Sequence, residues 1–280
     1  MDVEDDPKKP EFASLESYRE FAHRVRHDRR YVWDSKQQAF LDTVLATSQD
    51  RNVMIKAKTI FYRAQLGTDY RSVSDQYDDY GNEIVEEACG FGAERMKPLA
   101  NRAKEGRINP AGIPMLYLAS SEQTAISEVR PWLGSVISVA QVSVLRELRA
   151  VNLSRGHGKL SVGHLTLDEL EGAKPVDARK KEKAVWIDID NAFSQPVERS
   201  DDAADYVPTQ ILAELFRDAG FDAVIYRSQF GEKGYNIALF NVEDADVINC
   251  APYRIEGIDL KYKEIGSRSY FKASGGHTGT

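Results

Sequence analysis

The stretch GRINPAGIPMLYLASSEQTAISEVRPWLG, residues 106–134, decides the fold. Arg107 lies in a loop rich in proline and glycine, and a short apolar strand that contains Tyr117 follows it. A segment rich in hydroxyls can cap the helix that comes next, because serine side chains accept hydrogen bonds from the first backbone amides of a helix. That helix carries Glu128. The unit therefore predicts a pocket wall with an arginine, a tyrosine and a carboxylate, suited to a phosphorylated nucleotide and chemistry on its sugar.

Composition limits the class of protein. The 280 residues are enough for a sizeable core, and a net charge of -7 argues against a general nucleic-acid binder. The two cysteines are too few for a disulfide framework and lack metal-ligand spacing. There is no signal peptide and no apolar run of membrane-spanning length, so the sequence predicts a cytoplasmic protein without a membrane partner.

The chain divides into three predicted regions. A polar tail and two amphipathic helices, at 14–27 and 34–47, predict a small N-terminal helical lobe over residues 1–50. The main domain is expected over 51–265, with an insertion at about 154–184 that includes a short helix at 166–170. Residues 266–280 are expected to be a C-terminal tail.

Within the main domain, strands are predicted to outnumber helices. Residues 135–153 have the partial alternation of paired strands, and 68–90 read as a long polar surface loop. Residues 206–219 predict a helix, with Pro208 at its start and Gly220 just beyond its end. Many strands with few intervening helices favour a mixed α+β fold over a doubly wound sheet.

Several common catalytic motifs are missing. No GxGxxG follows a strand, and the sequence has no Walker A loop, no HExxH and no GxSxG elbow. The five histidines do not form a paired ligand set. Metal, flavin and acyl-transfer chemistry are therefore not expected.

Several stretches of the chain resemble the RES-domain family, which is named for an arginine, a glutamate and a serine in that order. Arg63, Glu128 and Ser228 occupy those positions, and the resemblance extends over about residues 59–250. The matching stretches are FYRAQ at 61–65, residues 106–131, TQILAELFRDAGFDAVIYRSQ at 209–229 and YNIALF at 235–240. Ile108 departs from the family pattern, which often has tryptophan there, and the extra glycines of the family are missing after Ser228.

The resemblance implies a fold, a reaction and a partner. The fold would be α+β, with an ADP-ribosyltransferase-like mixed β-sheet core, flanking helices and the N-terminal lobe. Members are toxins of bacterial toxin–antitoxin pairs that consume NAD+ as a substrate, without a cofactor, by cleaving the nicotinamide–ribose bond. Their activities include hydrolysis, phosphorolysis and transfer of ADP-ribose to a protein. The usual partner is an antitoxin with an Xre-like helix-turn-helix.

Glu128 and Arg63 are the predicted catalytic residues. Departure of nicotinamide leaves positive charge on the ribose, and a nearby carboxylate stabilises that charge as it develops. Glu128 is our candidate, although a helix glutamate can equally be exposed or paired with Arg130. The guanidinium groups of Arg63 and Arg107 suit the NAD+ pyrophosphate, because their fork matches phosphate oxygens; for Arg107, surface ion pairing is the other possibility.

Four further residues are predicted to contact the dinucleotide. Tyr62 and Tyr117 would stack on nicotinamide or hydrogen-bond the ribose, unless they belong to the core. Ser228 and Asn236 would hydrogen-bond a phosphate or the nicotinamide amide. Two alternatives to NAD+ hydrolysis or phosphorolysis stay open: ADP-ribosylation of a protein, with the 68–90 loop presenting the target, and a non-enzymatic module that binds NAD+.

Overall fold

A mixed eight-stranded sheet forms the centre of the fold. The computed structural model describes residues 10–73, 77, 81, 86–99, 102–159, 163, 165–195, 203–230, 234–259 and 262–267. The strands in chain order are β1 (Asn52–Ile55), β2 (Ile60–Leu66), β3 (Asp69–Ser72), β4 (Glu86–Cys89), β5 (Leu116–Ala119), β6 (Val136–Val144), β7 (Leu148–Asn152), β8 (Ala223–Arg227), β9 (Tyr235–Leu239) and β10 (Ala245–Arg254). The large sheet has the order β1-β7-β8-β9-β5-β2-β6-β10, with β7 and β8 parallel.

Helices flank this sheet, which confirms the predicted α+β class. They are α1 (Ser17–His27), α2 (Ser35–Ser48), α3 (Ala93–Met96), α4 (Glu122–Glu128), α5 (Leu167–Leu170), α6 (Ala178–Ser194) and α7 (Val207–Asp218). No helix in the described part of the chain is long and apolar enough to cross a membrane. The outermost predicted tail residues, 1–9 and 268–280, lie outside the described residues.

The sheet is folded over on itself. Strands β6 and β7 are separated by three residues in the chain but by five positions in the sheet. In a flat sheet, five strand spacings would separate β6 from β7 by about 24 Å, but the four Cα–Cα steps that connect them span at most about 15 Å. The sheet must therefore curve until its two halves come close together. Residues from both halves accordingly meet in one hydrophobic core, for example Phe61, Val142, Ala150 and Ile237.

The partners of β6 and β7 differ from the sequence prediction. Residues 135–153 do form two strands, but β6 pairs with β2 and β10, and β7 pairs with β1 and β8. Alternating apolar residues indicate a strand and its buried face, and they carry no information about which strand lies beside it.

Four helices cover the β7-β8-β9 half of the sheet. Trp186 of α6 and Phe216 of α7 stack there with ring centroids 6.4 Å apart, and α1 and α2 add Phe21 and Leu41 to the same hydrophobic cluster. The two helices expected to form an N-terminal lobe therefore share a core with the main domain. The indole N–H of Trp186 donates to Thr47 Oγ1 of α2 at 3.0 Å, which ties α2 to α6.

Helix α6 crosses the expected boundary of the insertion at residue 184. The apolar run Val185, Trp186 and Ile187 lies in the middle of this 17-residue helix and is buried. Its first turns are charged, which gives the sequence the appearance of an inserted surface segment. The short helix predicted at 166–170 is present as α5.

Two further predictions have different outcomes. Helix α7 is confirmed, with Pro208 in its first turn and Gly220 beyond its end at φ +79°. The polar stretch at 68–90 was expected to be a loop, but β3 and β4 pair within it. Both strands are mostly exposed, and their sequences do not alternate between apolar and polar residues in the way that predicts a strand. An Arg71–Glu87 ion pair of 2.7 Å joins them.

Asp190 of α6 is completely buried. Within the described residues, neither of its carboxylate oxygens accepts a hydrogen bond, and His157 Nδ1 lies 3.6 Å from Oδ2. Burial raises the pKa of Asp190 to about 7, although the charges of Arg51 and Arg227 oppose the shift. Burial of His157 and the positive charge of Arg227 lower the pKa of His157.

Candidate active site

Helix α4 places Glu128 above the centre of the folded sheet. Ser121 caps the helix, with its Oγ accepting from the amide of Thr124 at 3.1 Å. Small residues under the helix, Ala125 against Ala64 and Ala119, allow it to approach strands β2 and β5 closely. The last residue of this short helix is Glu128, so its position is fixed by the packing.

Two donors hold the carboxylate of Glu128. Ser228 Oγ and Asn236 Nδ2 both donate to Glu128 Oε1, each at 2.6 Å. Ser228 directly follows β8, and Asn236 lies in β9, where it pairs with Tyr226 of β8 and with Ala119 of β5. Ser228 and Asn236 are buried, whereas Glu128 is exposed, so the carboxylate is oriented and also accessible.

Two neighbouring cavities meet at Glu128. Their volumes are about 340 and about 310 Å³, within the usual range for small-molecule sites. Tyr117, Glu128, Tyr226 and Asn236 line both of them. Arg107 and Arg130 line the first cavity, while Tyr62 and Arg63 line the second. The structure therefore brings all seven predicted site residues to one place, with Ser228 in contact through Glu128.

Arg63 is a largely buried cation in the wall of the second cavity. Its Nη1 donates to the carbonyl oxygen of Tyr117 at 2.9 Å, which braces β5 against β2. No described carboxylate forms an ion pair with it, its Nε has no hydrogen-bond partner among the described residues, and burial lowers its pKa. A buried guanidinium without a carboxylate partner favours binding of an anion.

Arg107 has a different environment from the one predicted. Its guanidinium donates to the carbonyl oxygens of Phe193 and Gln195, at the C-terminal end of α6. Thr209 of α7 fixes the loop from the other side, with its hydroxyl donating to the Arg107 carbonyl at 2.6 Å. Arg107 thus lines the first cavity and also caps the end of α6. The sequence predicted either a phosphate contact or a surface ion pair for this residue, and the contact with α6 is neither of these.

The two predicted tyrosines are positioned by different contacts. The Tyr117 hydroxyl donates to Asn109 Oδ1 at 2.7 Å and accepts from the Ile108 amide at 3.1 Å, so its ring is held rigidly against the cavities. Gly106 permits this, because a Cβ there would lie 2.9 Å from the hydroxyl oxygen. Burial raises the pKa of Tyr117 to about 12. Tyr62 is half-buried beside the α4 cluster.

Sequence reasoning missed Tyr226. It is buried, lines both cavities and packs against Phe193 with ring centroids 6.4 Å apart. Burial strongly raises its pKa. Its position was accessible from the sequence, because alternate residues of a strand share a face and Tyr226 lies two residues before Ser228.

Arg130 was considered only as an ion-pair partner for Glu128. It lies two residues beyond Glu128 with φ +47°, and it lines the first cavity beside that residue. Its guanidinium carbon lies 5.6 Å from the ring centroid of Phe230. In the part of the chain that the structure describes, no cluster of three or more metal-ligating side chains is present.

Comparisons with known proteins identify the family of the chain. The model of the RES-domain family matches residues 87–262, which includes Glu128, Ser228 and Asn236, while Arg63 lies before the matched range. Among curated proteins the chain has no match. A solved structure, the M. tuberculosis MbcT–MbcA toxin–antitoxin complex, matches with a TM-score of 0.38 and 15% identity, over 75% of this chain and 91% of that chain. The family match covers more than half of the sequence, and the chain belongs to the RES-domain family.

Proposed function

We propose that this RES domain is a toxin enzyme that cleaves the nicotinamide–ribose bond of NAD+. The observation that carries the proposal is the carboxylate of Glu128, which two donors hold by one oxygen at the junction of two cavities. A carboxylate fixed in advance stabilises charge that develops beside it without having to reorganise during the reaction.

The reaction begins with loss of nicotinamide. The bond between ribose C1′ and the pyridinium nitrogen breaks, and its electron pair neutralises the positive nitrogen of the leaving group. The ribose then carries the positive charge, as in glycoside cleavage, and Glu128 stabilises it. An oxygen of water or inorganic phosphate adds to C1′, and water loses a proton in that step.

Other residues supply binding and shape. The buried guanidinium of Arg63 attracts the pyrophosphate, since no described carboxylate neutralises it. The rings of Tyr117 and Tyr226 border both cavities and restrict where a planar nicotinamide can lie. NAD+ is the substrate in this scheme, and the proposal requires no additional cofactor.

The decisive test is release of nicotinamide from NAD+ by the purified protein, with and without inorganic phosphate. A unit charge about 4 Å from the reacting centre contributes about 4 kcal/mol at an effective dielectric constant near 20. Glu128→Gln should therefore lower kcat by up to about a thousandfold. Glu122→Gln is the matched control, because it makes the same change in the first turn of the same helix. Absence of nicotinamide release by the wild type, or equal rates for the Glu128 variant and the control, would refute the proposal.

The products identify the acceptor. Free ADP-ribose indicates hydrolysis, ADP-ribose-1″-phosphate indicates phosphorolysis, and a labelled protein band in lysate indicates ADP-ribosylation. Binding of NAD+ without turnover would support the non-enzymatic alternative instead.

Family membership also supports a partner of the toxin. We expect a cytoplasmic antitoxin with an Xre-like helix-turn-helix to bind the domain and prevent access to its cavities. Expression of the chain alone should arrest growth, and co-expression of the neighbouring small reading frame should restore it. Growth arrest that persists in the Glu128→Gln variant would separate toxicity from this active site.

A further inference from the structure

We propose that Ser194 binds the dinucleotide through its side-chain hydroxyl in the first cavity. The inference rests on the proposed function and adds to it a residue outside the stretches that resemble the family. Ser194 lines the first cavity together with Glu128 and Asn236. Two observations lead to the proposal: the hydroxyl is buried without a hydrogen-bond partner, and the backbone on both sides of the residue is fixed.

The hydroxyl of Ser194 is an unpaired polar group in the wall of a cavity. Ser194 is the last residue of α6 and only 4% exposed, and its Oγ forms no hydrogen bond within the described residues. Such a group is unfavourable in a protein interior, because the unfolded chain hydrogen-bonds it to water. Buried polar groups normally have a partner, so an exception beside a cavity indicates a contact that a ligand completes.

Other helical hydroxyls of this chain are satisfied within their own helices. They donate to a carbonyl oxygen three or four residues earlier, as in Thr43, Thr47, Ser48 and Ser127. This contact is common for a serine or threonine in a helix. Ser194 does not form it, although it has helical residues before it in the same way. Its hydroxyl can therefore rotate about the Cα–Cβ bond towards a ligand without breaking a hydrogen bond.

The backbone around Ser194 is held from both sides. The guanidinium of Arg107 donates to the carbonyl oxygens of Phe193 and Gln195, which flank the serine in sequence. The ring of Phe193 also packs against Tyr226, which lines both cavities. These contacts fix the end of α6 at the cavity wall, so a ligand that binds there does not have to order the backbone first. Arg107 is thus a positioning residue for Ser194.

The group that Ser194 binds must form a hydrogen bond with a neutral hydroxyl. A serine hydroxyl can donate and accept, so it suits an amide or an oxygen of the substrate. NAD+ offers both: the carboxamide of nicotinamide on one side of the reacting ribose, and the oxygens of ADP-ribose on the other. Either contact would hold the part of the dinucleotide that occupies the first cavity while Glu128 acts on the ribose.

The test is the substitution Ser194→Ala, which removes only the hydroxyl. We expect the KM for NAD+ to rise by about three- to tenfold, the usual effect of losing one uncharged hydrogen bond. The value of kcat should change little, because the bond is made in the ground state and in the transition state alike. The melting temperature should not fall, since the hydroxyl forms no hydrogen bond within the described fold.

Ser48→Ala is the matched control. Ser48 is also a buried serine at the last position of a helix, α2, but its hydroxyl donates to the carbonyl oxygen of Leu45 at 2.7 Å. It lines neither cavity. Its replacement should lower the melting temperature and leave the KM for NAD+ unchanged, which is the opposite of the pattern expected for Ser194→Ala. Damage to the fold alone cannot produce a higher KM at unchanged stability.

Calorimetric titration with nicotinamide and with ADP-ribose provides a readout that does not depend on turnover. Weaker binding of nicotinamide by Ser194→Ala assigns the carboxamide, and weaker binding of ADP-ribose assigns an oxygen of that part. Either result supports the inference even if the wild type releases no nicotinamide, in which case the proposed function alone fails. If the KM for NAD+ and both dissociation constants stay within about twofold of wild type, the inference about Ser194 is overturned while the proposed function stands.

Discussion

Removal of the Asn236 side-chain amide tests how the site holds its carboxylate. The bond from Asn236 Nδ2 to Glu128 Oε1 is 2.6 Å long and involves a charged acceptor. Such a bond contributes about 1.5–3 kcal/mol net. If the carboxylate must keep its orientation in the transition state, Asn236→Ala should lower kcat/KM for NAD+ by about ten- to 150-fold. Because Asn236 is buried, loss of the same bond should also lower the free energy of unfolding by up to about 1.5–3 kcal/mol.

The second donor to the same oxygen makes the prediction sharper. Ser228→Ala removes the other 2.6 Å bond to Glu128 Oε1. Once one donor is lost, the carboxylate can rotate, so loss of the other should cost less. The double variant should therefore lose less activity than the product of the two single losses, with a coupling of about 1 kcal/mol.

The assay is kcat/KM for nicotinamide release by the wild type, both single variants and the double variant. Thermal unfolding of each protein separates effects on the site from effects on the fold. Asn249→Ala is the control: this exposed asparagine of β10 donates to Gln141 Oε1 at 2.9 Å, outside both cavities. Activity of Asn236→Ala within threefold of wild type, or strictly multiplicative losses, would show that the two donors do not orient Glu128 for the reaction.

Three further predictions concern stability and packing. Asp190→Asn should stabilise the protein more at pH 7.5 than at pH 5. The folded-state pKa of Asp190 is raised to about 7, so the unfolded chain loses the carboxyl proton at a lower pH than the folded protein does. The free energy of unfolding therefore falls by up to about 1.4 kcal/mol per pH unit from about pH 4 to 7. Urea unfolding that shows the same stabilisation by Asp190→Asn at both pH values would contradict this. Deletion of residues 1–50 should leave a chain that does not fold, because each of several buried side chains of α1 and α2 contributes about 1.5–3 kcal/mol to stability. A cooperative melting transition of the truncated protein would instead show that the first two helices form an independent lobe. Gly106→Ala puts a methyl group 2.9 Å from the Tyr117 hydroxyl oxygen. This substitution should destabilise the protein by about 1–3 kcal/mol and lower the rate of nicotinamide release. Gly92→Ala is the control and should not change that rate, because a Cβ at Gly92 would meet open space.

The sequence predicts elements whose signals are local. Helix α7 follows from an apolar stripe, Pro208 at its start and Gly220 beyond its end. Helix α6 is missed because its charged first turns and its continuous apolar middle hide the helical period. The partners of β6 and β7 are not predictable in the same way, since a folded-over sheet depends on contacts between distant segments.

The same limit applies to the site. Arg63, Glu128 and Ser228 were found through the order of their motifs, and the structure places them around two cavities. Asn236 and Ser228 donate to the same oxygen of Glu128 because of the register between β8 and β9. A single sequence does not specify that register. The contact of Arg107 with the end of α6 likewise depends on how a helix more than eighty residues away packs.

The strand order has a consequence for synthesis of the protein. Leu116 of β5 pairs with Leu239 of β9, more than one hundred residues later in the chain. A ribosome therefore completes Glu128 long before it adds Asn236, and folding must wait for that distant partner because long-range pairing is slow. Nascent chains and products of premature termination that end before β9 lack the clamp on the carboxylate. Under the proposed function, the catalytic site is therefore completed only after β9 has been synthesised.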